Sequence, residues 1–184
     1  MDVRPDIVAL VLALLYATLL LIAAGYDFLQ RRIPNWTVLG LLLVFVPTAI
    51  FGLTPTPWTS SLAAFAIALL GSGALYLMGW VGAGDSKLFS AAALFAGLSH
   101  LLLLFVGTAI AGGIYALAVL FIRPKEVMRG MTARGRAEGK LRGIPYGVAI
   151  AAGALVTAYL THPTEPGPFA PHREATVRPV AVAR

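Results

Sequence analysis

The sequence LFSAAALFAGLSHLLLLFVGTAIAGGIYALAVLFI, residues 88–122, contains no Asp, Glu, Lys or Arg. As one helix these 35 residues would extend about 52 Å, whereas a single crossing of the hydrocarbon core needs about 20 residues and 30 Å. The run is therefore too long for one membrane span and slightly short for two. A break at Gly97-Leu98-Ser99-His100 would resolve this mismatch, because it leaves a short fourth helix and a longer fifth.

The remainder of the chain is apolar as well. It is 59% hydrophobic and 12% charged, against about a quarter charged in ordinary globular proteins. Because the apolar residues form long blocks, hydrocarbon must surround most of the chain. We therefore predict an all-α, polytopic membrane helix bundle, with one membrane domain over residues 1–161 and a poorly ordered tail, rich in Pro, Ala and Arg, over 162–184. The further spans are predicted near residues 7–24, 36–51, 61–78 and 144–160.

The basic loops predict how often the chain crosses the membrane. With six spans, the loops at 31–32, 85–87 and 123–142 all lie on one side, which the positive-inside rule makes cytoplasmic. With five spans, the most basic loop would face the other side. We therefore predict six transmembrane helices, the fourth short, with both termini outside the cytoplasm. The net charge of +6 lies in these loops and not on one amphipathic face, so we expect no nucleic-acid partner.

Few residues of this chain can carry chemistry. Cysteine is absent, which excludes disulfides, thiolate metal sites and cysteine nucleophiles. The three His have no ligand spacing, so we expect neither a metal nor a cofactor. Among the four Asp and four Glu, only Asp27 and Asp85 adjoin the ends of predicted spans. Two crossings separate them, which places both on the cytoplasmic face.

Acids at membrane depth are costly, and they are usually functional. The structural alternative is that Asp27 pairs with Arg31, one helical turn later, and Asp85 with Lys87. Two carboxylates that close on one site share a proton, because both cannot ionise comfortably. One can then take a proton from water as the water attacks a peptide carbonyl, while the other polarises the carbonyl oxygen. The pair is therefore suited to peptide hydrolysis without a metal.

Three motifs carry a resemblance to a known family. They read Gly82-Ala83-Gly84-Asp85 with Lys87, then Asp27 with Arg32-Ile33-Pro34-Asn35, and Ile144-Pro145-Tyr146-Gly147-Val148-Ala149. The first looks like the signature of the GxGD membrane aspartic peptidases. The second is similar to the first catalytic patch of type IV prepilin peptidases, and the third resembles the motif that opens their last helix. The resemblance covers roughly residues 10–160.

The resemblance implies that the domain over 1–161 is a peptidase at the cytoplasmic face of the bacterial inner membrane. It implies cleavage of prepilin or pseudopilin leaders after a Gly, with Asp27 and Asp85 as the catalytic pair. Larger relatives carry an N-terminal cytoplasmic region with paired cysteines and also N-methylate the product. This chain resembles the short, peptidase-only form associated with Flp-type tight-adherence pili, so methyltransferase activity is not expected. The implied partners are prepilin-like substrates, the bilayer, and pilus or secretion machinery.

Supporting roles are assigned around the two acids. We expect the catalytic loops to be supported by Gly82, Gly84, Lys87, Pro34 and Asn35. We expect substrate contacts from Arg31, Arg32, Pro145, Tyr146 and Gly147. Each role has a simpler alternative: the two arginines also fit topology signals, and Lys87 also fits a span-end cation facing lipid headgroups. Proline in a first helical turn is common without any function.

Two other functions fit a small membrane protein with two acids. A proton-coupled transporter or channel subunit would use Asp27 and Asp85 to carry protons. Such proteins place their acids near mid-span, in discontinuous helices of inverted halves, whereas both acids here adjoin span ends. A structural subunit of a pilus or secretion assembly would tolerate Asn at either position.

Overall fold

The computed structural model describes residues 5–122 and 146–161, which are helical apart from short turns and contain no strand. The all-α prediction is confirmed for this part of the chain. The predicted basic loop at 123–142, the residue Pro145 and the tail at 162–184 lie outside the described residues. The helices are α1 (Pro5–Gln30), α2 (Asn35–Ile50), α3 (Trp58–Leu77), α4 (Ala83–Ile122) and α5 (Tyr146–Leu160).

Many large apolar side chains of the bundle face outward, and alanines make up much of its core. Leu14, Leu70 and Phe121 are exposed, whereas the run Ala91–Ala93 is buried. In water this exterior would be strongly unfavourable, so the pattern belongs to a protein surrounded by lipid. Helices α1, α3 and α4 are long and apolar enough to cross a membrane, and α2 and α5 are shorter apolar helices. The membrane prediction is confirmed, while the number of crossings stays a prediction.

Helix α4 is broken at Gly97, where the backbone has φ 68° and ψ 175°. This left-handed φ favours glycine, and a Cβ at the same position would clash with the hydroxyl of Thr56. After the break, the N–H of Leu98 donates to Oγ of Ser60 at 3.0 Å, which replaces a helical partner. The break predicted at 97–100 is therefore confirmed, with a shorter segment at 83–96 before it and a longer one at 98–122 after it.

Close helix packing brings the chemically active residues to one end of the bundle. Helix α4 packs against α2, α3 and α5, and α1 packs against α2 and α5. At one crossing a Cβ on Gly107 would lie only 3.4 Å from Cα of Gly153, so glycine permits the backbones of α4 and α5 to approach closely. The C-terminal end of α1 and the N-terminal ends of α4 and α5 consequently meet.

Candidate active site

Asp27 lies in the last turn of α1, and its side chain is only 6% exposed. Its Oδ2 accepts a hydrogen bond of 2.7 Å from the backbone N–H of Gly147. Gly147 is the second residue of α5, and an N–H in the first turn of a helix has no partner within that helix. The Asp27 carboxyl supplies this partner, so its orientation is fixed by backbone and not by a flexible side chain.

The contact leaves no space for a side chain at position 147. A Cβ there would lie 2.8 Å from Oδ2 of Asp27 and 3.0 Å from its Cγ. Glycine is therefore required if the Asp27 carboxyl is to keep this position. The structure places Gly147 beside Asp27, and its expected contact with substrate stays a prediction.

Asp85 lies in the first turn of α4 and is half-buried. A Cβ on Gly82 would lie 2.8 Å from Oδ2 of Asp85, so the backbone of this glycine passes directly over the carboxyl. Asp85 lines the same groove as Tyr146, the residue that precedes Gly147, and Gly147 is bonded to Asp27. The two acids selected from the sequence therefore belong to one cluster.

Two further contacts join the patch after Asp27 to the patch around Asp85. A Cβ on Gly84 would lie 3.0 Å from Cβ of Ile33, so the α1–α2 loop rests on the first turn of α4. Nζ of Lys87 donates to Oδ1 of Asn35 at 3.2 Å. Three of the residues expected to support the catalytic loops, Gly84, Lys87 and Asn35, thus hold the two patches together.

The α1–α2 turn is shaped by Arg31 and Pro34. Arg31 has a left-handed φ of 57°, its N–H donates to the carbonyl of Asp27 at 2.9 Å, and its charge interacts with the Asp27 carboxyl. Pro34 caps the start of α2, and its carbonyl accepts the hydroxyl of Thr37 at 2.7 Å. The exposed side chain of Arg32 stays available to a partner outside this cluster.

Sequence reasoning missed a serine cluster behind Asp85. The hydroxyls of Ser72 and Ser86 are 2.7 Å apart, and the hydroxyl of Ser90 donates to the carbonyl of Ser86 at 2.7 Å. The contact between Ser72 and Ser86 connects α3 to the first turns of α4, and the bond from Ser90 lies within α4, so both help to fix the helix that carries Asp85. The signal available in the sequence was a serine in the apolar second half of α3, since a polar side chain in hydrocarbon needs a partner.

The comparisons with known proteins agree with this geometry. Residues 14–117 match the model of the type IV leader peptidase family, and this match includes both Asp27 and Asp85. The chain belongs to the type IV leader peptidase family. No curated protein and no solved structure matches the chain. Membership of the family makes the chain a membrane peptidase, and it confirms the resemblance drawn from the motifs.

The remaining predicted site residues can be placed beside this peptidase cluster. Tyr146 is exposed at the start of α5 and lines a groove that also includes Asp85. Pro145 precedes the described part of α5. Within residues 5–122 and 146–161, no group of three or more His, Asp or Glu side chains lies close enough to hold a metal ion.

Proposed function

We propose that this leader peptidase is an aspartic endopeptidase in which Asp27 and Asp85 activate a water molecule together. The observation that carries the proposal is the meeting of these two acids from different helices. Asp27 is bonded to Gly147, and the adjacent Tyr146 lines one groove together with Asp85. Its substrates are prepilin-like or pseudopilin precursors, cleaved after a Gly at the end of the leader. Pilus or secretion machinery then assembles the mature product.

The reaction needs one ionised and one protonated carboxyl. The ionised carboxyl takes a proton from water as the oxygen attacks the peptide carbonyl carbon, and the protonated one donates to the carbonyl oxygen. When the tetrahedral intermediate collapses, the C–N bond breaks and the leaving nitrogen takes the proton that the pair received from water. The other carboxyl takes a proton from a hydroxyl of the intermediate, so that the carboxylic acid product forms and the pair again holds one proton. Oδ2 of Asp27 accepts the hydrogen bond from the N–H of Gly147, so Oδ1 of Asp27 is the oxygen that faces the water in this proposal.

The proposal includes an orientation in the membrane. The six crossings comprise α1, α2, α3, the two segments of α4 on either side of Gly97, and α5. The segment at 83–96 would extend about 21 Å, less than the hydrocarbon thickness of about 30 Å, which fits the short fourth span. Both termini then lie outside the cytoplasm, and the two acids lie at the cytoplasmic face of a bacterial inner membrane.

The test is cleavage of a precursor in cells that co-express it with the wild-type chain or with Asp27→Asn or Asp85→Asn. Asn keeps the size of the side chain but cannot exchange a proton, so each variant is expected to leave the precursor uncleaved. Asp6→Asn is the matched control, since it makes the same chemical change near the opposite end of α1.

Each outcome of this test separates the proposal from an alternative. Normal cleavage by either Asn variant at wild-type protein level would refute the two-aspartate mechanism. Pilus assembly that survives both substitutions would favour the structural-subunit alternative. Loss of cleavage by Asp6→Asn as well would point to a general folding defect.

A further inference from the structure

A long apolar groove runs along one side of the bundle, between α3, the 98–122 segment of α4 and the start of α5. Its volume is about 970 Å³. Asp85 and Tyr146 line it at one end and Leu98 lines it at the other, since Leu98 is bonded to Ser60 near the opposite end of α3. The groove is therefore continuous with the candidate active site.

The groove has the length of a membrane span and open space along its walls. Its lining on the 98–122 segment of α4 runs from Leu98 to Ala116, which corresponds to about 27 Å of helix. This is close to the hydrocarbon thickness of about 30 Å. Gly71 and Gly113 lie in its walls, and a Cβ at either position would meet nothing within 4 Å. These two glycines leave room that larger side chains would fill.

The apolar lining of the groove favours binding of a helix over binding of an extended segment. Apart from Asp85, the groove offers few polar groups, and the hydroxyl of Ser72 is already bonded to Ser86 and to the carbonyl of Ala68. An extended strand or loop would leave its backbone N–H and C=O groups unpaired in hydrocarbon, whereas a helix satisfies them internally. The lining also offers no basic side chain. Its charge therefore matches an uncharged, apolar helix.

The occupant has to come from another molecule. The segment 123–145 lies between α4 and α5 in the sequence, and it carries seven Lys or Arg and two Glu, which are costly in an apolar groove. The tail at 162–184 follows the far end of α5 and contains five Pro and three Arg. Neither segment of the chain outside the described residues has the composition of an apolar helix.

We infer that this groove is the docking site for the apolar helix of the substrate, and that Gly71 and Gly113 determine which side chains that helix can carry. The inference rests on the proposed function, since it uses Asp85 at the end of the groove as a catalytic acid. A helix lying in the groove presents its end to Asp85 and keeps its middle away. Cleavage then occurs where the helix begins and the backbone is free to unwind.

The absence of cysteine in the chain permits a direct test by cross-linking. Single cysteines are introduced by Leu102→Cys and Gly113→Cys in the groove, and by Gly73→Cys as the control, in an Asp27→Asn chain that retains the precursor. Gly73 lies two residues from Gly71 on α3 but does not line the groove. The probe is a tester precursor with a leader that ends in Gly, an apolar helix of about 20 residues and one cysteine.

The expected result is a disulfide-linked adduct with the two groove cysteines and none with the control. The reactive positions of the precursor should recur every three to four residues, as one face of a helix does. Equal adducts at Gly73→Cys, or links between two copies of this chain in place of the precursor, would overturn the inference. Because the adducts report where the precursor helix lies and not whether it is cleaved, their pattern is read independently of the two-aspartate mechanism.

A second measurement uses the active chain and two matched substitutions. Gly71→Leu places a large side chain in the groove and is expected to lower the cleavage rate about tenfold. This factor corresponds to about 1.4 kcal/mol of steric cost when the precursor helix docks. Gly73→Leu should leave the rate near that of wild type. Replacing the large residues of the tester helix by Ala should restore cleavage by Gly71→Leu. If wild type cleaves the tester and Gly71→Leu cleaves it equally well, the docking inference fails while the proposed function stands.

Discussion

The carboxyl of Asp27 is oriented by a backbone N–H that comes from 120 residues later in the chain. A side chain that is fixed by backbone loses little entropy when it has to hold one geometry for the reaction. Gly147 therefore acts as a positioning residue for Asp27. The same contact explains why the start of α5 belongs to the site although the acids lie on α1 and α4.

Gly147→Ala is predicted to displace the Asp27 carboxyl, because its Cβ would lie 2.8 Å from Oδ2. A misplacement of about 1 Å at a catalytic group can cost about a hundredfold in rate. We expect kcat for precursor cleavage to fall by about this factor while KM changes little, since binding of the precursor helix does not involve this contact. Purified enzyme and tester precursor in detergent give both constants.

Gly25→Ala provides the control, since a Cβ at Gly25 would meet nothing within 4 Å and the residue lies on the same helix as Asp27. Its kcat should stay within about twofold of wild type. An unchanged kcat in Gly147→Ala would mean that the Asp27 carboxyl does not need this partner during the reaction.

The acids themselves could be identified from the sequence, whereas their partners could not. Asp27 and Asp85 remain once every other acid is assigned to the N-terminal segment, the basic loop or the tail, and this elimination needs no coordinates. The partner of Asp27 is a backbone N–H. Every residue except proline has this group, so residue type does not indicate which N–H bonds to Asp27. The bond between Lys87 and Asn35 is equally invisible, because it depends on how two loops pack.

At the scale of the helices, the break in α4 separates the short segment that carries Asp85 from the long segment that lines the groove. Its position could be predicted because 35 apolar residues fit neither one span nor two, and Gly97 is a residue that tolerates a left-handed backbone. What stabilises the break could not be predicted. Thr56 and Ser60 reach it from the α2–α3 turn and the start of α3, and such contacts between distant segments leave no local pattern.

Gly97→Ala is predicted to destabilise the protein, because alanine is strained at φ 68° and its Cβ would clash with Thr56. Strain of this kind costs on the order of 1–3 kcal/mol, so the midpoint of thermal unfolding in detergent should fall by several degrees. Cleavage should fall as well, since the segment that carries Asp85 loses its anchor at Thr56 and Ser60.

The matched control, Gly73→Ala, makes the same substitution within a helix, where a Cβ meets nothing within 4 Å. Alanine is favoured over glycine in a helix interior by about 1 kcal/mol, so this midpoint should stay the same or rise. A fall of equal size in both variants would show that the break at Gly97 has no special importance.

At the scale of the whole molecule, the fold is a membrane bundle whose two acids meet at one end and whose groove follows its side. A membrane bundle could be predicted from composition and from the long apolar blocks, because hydrocarbon replaces water as the solvent. The side of the membrane that each end faces stays a prediction from charge. Arg31 and Arg32 of the α1–α2 turn and Lys87 at the start of α4 lie at the end where Asp27 and Asp85 meet, and the Pro-containing turn before α3 lies at the other.

This orientation predicts which residues a membrane-impermeant thiol reagent can reach in intact cells. The chain has no cysteine of its own, so Thr59→Cys and Arg32→Cys, both at exposed positions, each provide one labelled site without background. Thr59→Cys, at the start of α3, should be labelled in cells whose inner membrane is intact, because the positive-inside rule puts this end outside the cytoplasm. Arg32→Cys should be labelled only after the inner membrane is opened. Labelling of Arg32→Cys in intact cells would show that the bundle has the opposite orientation. The two acids would then lie on the outer face, away from precursors whose leaders are still in the cytoplasm.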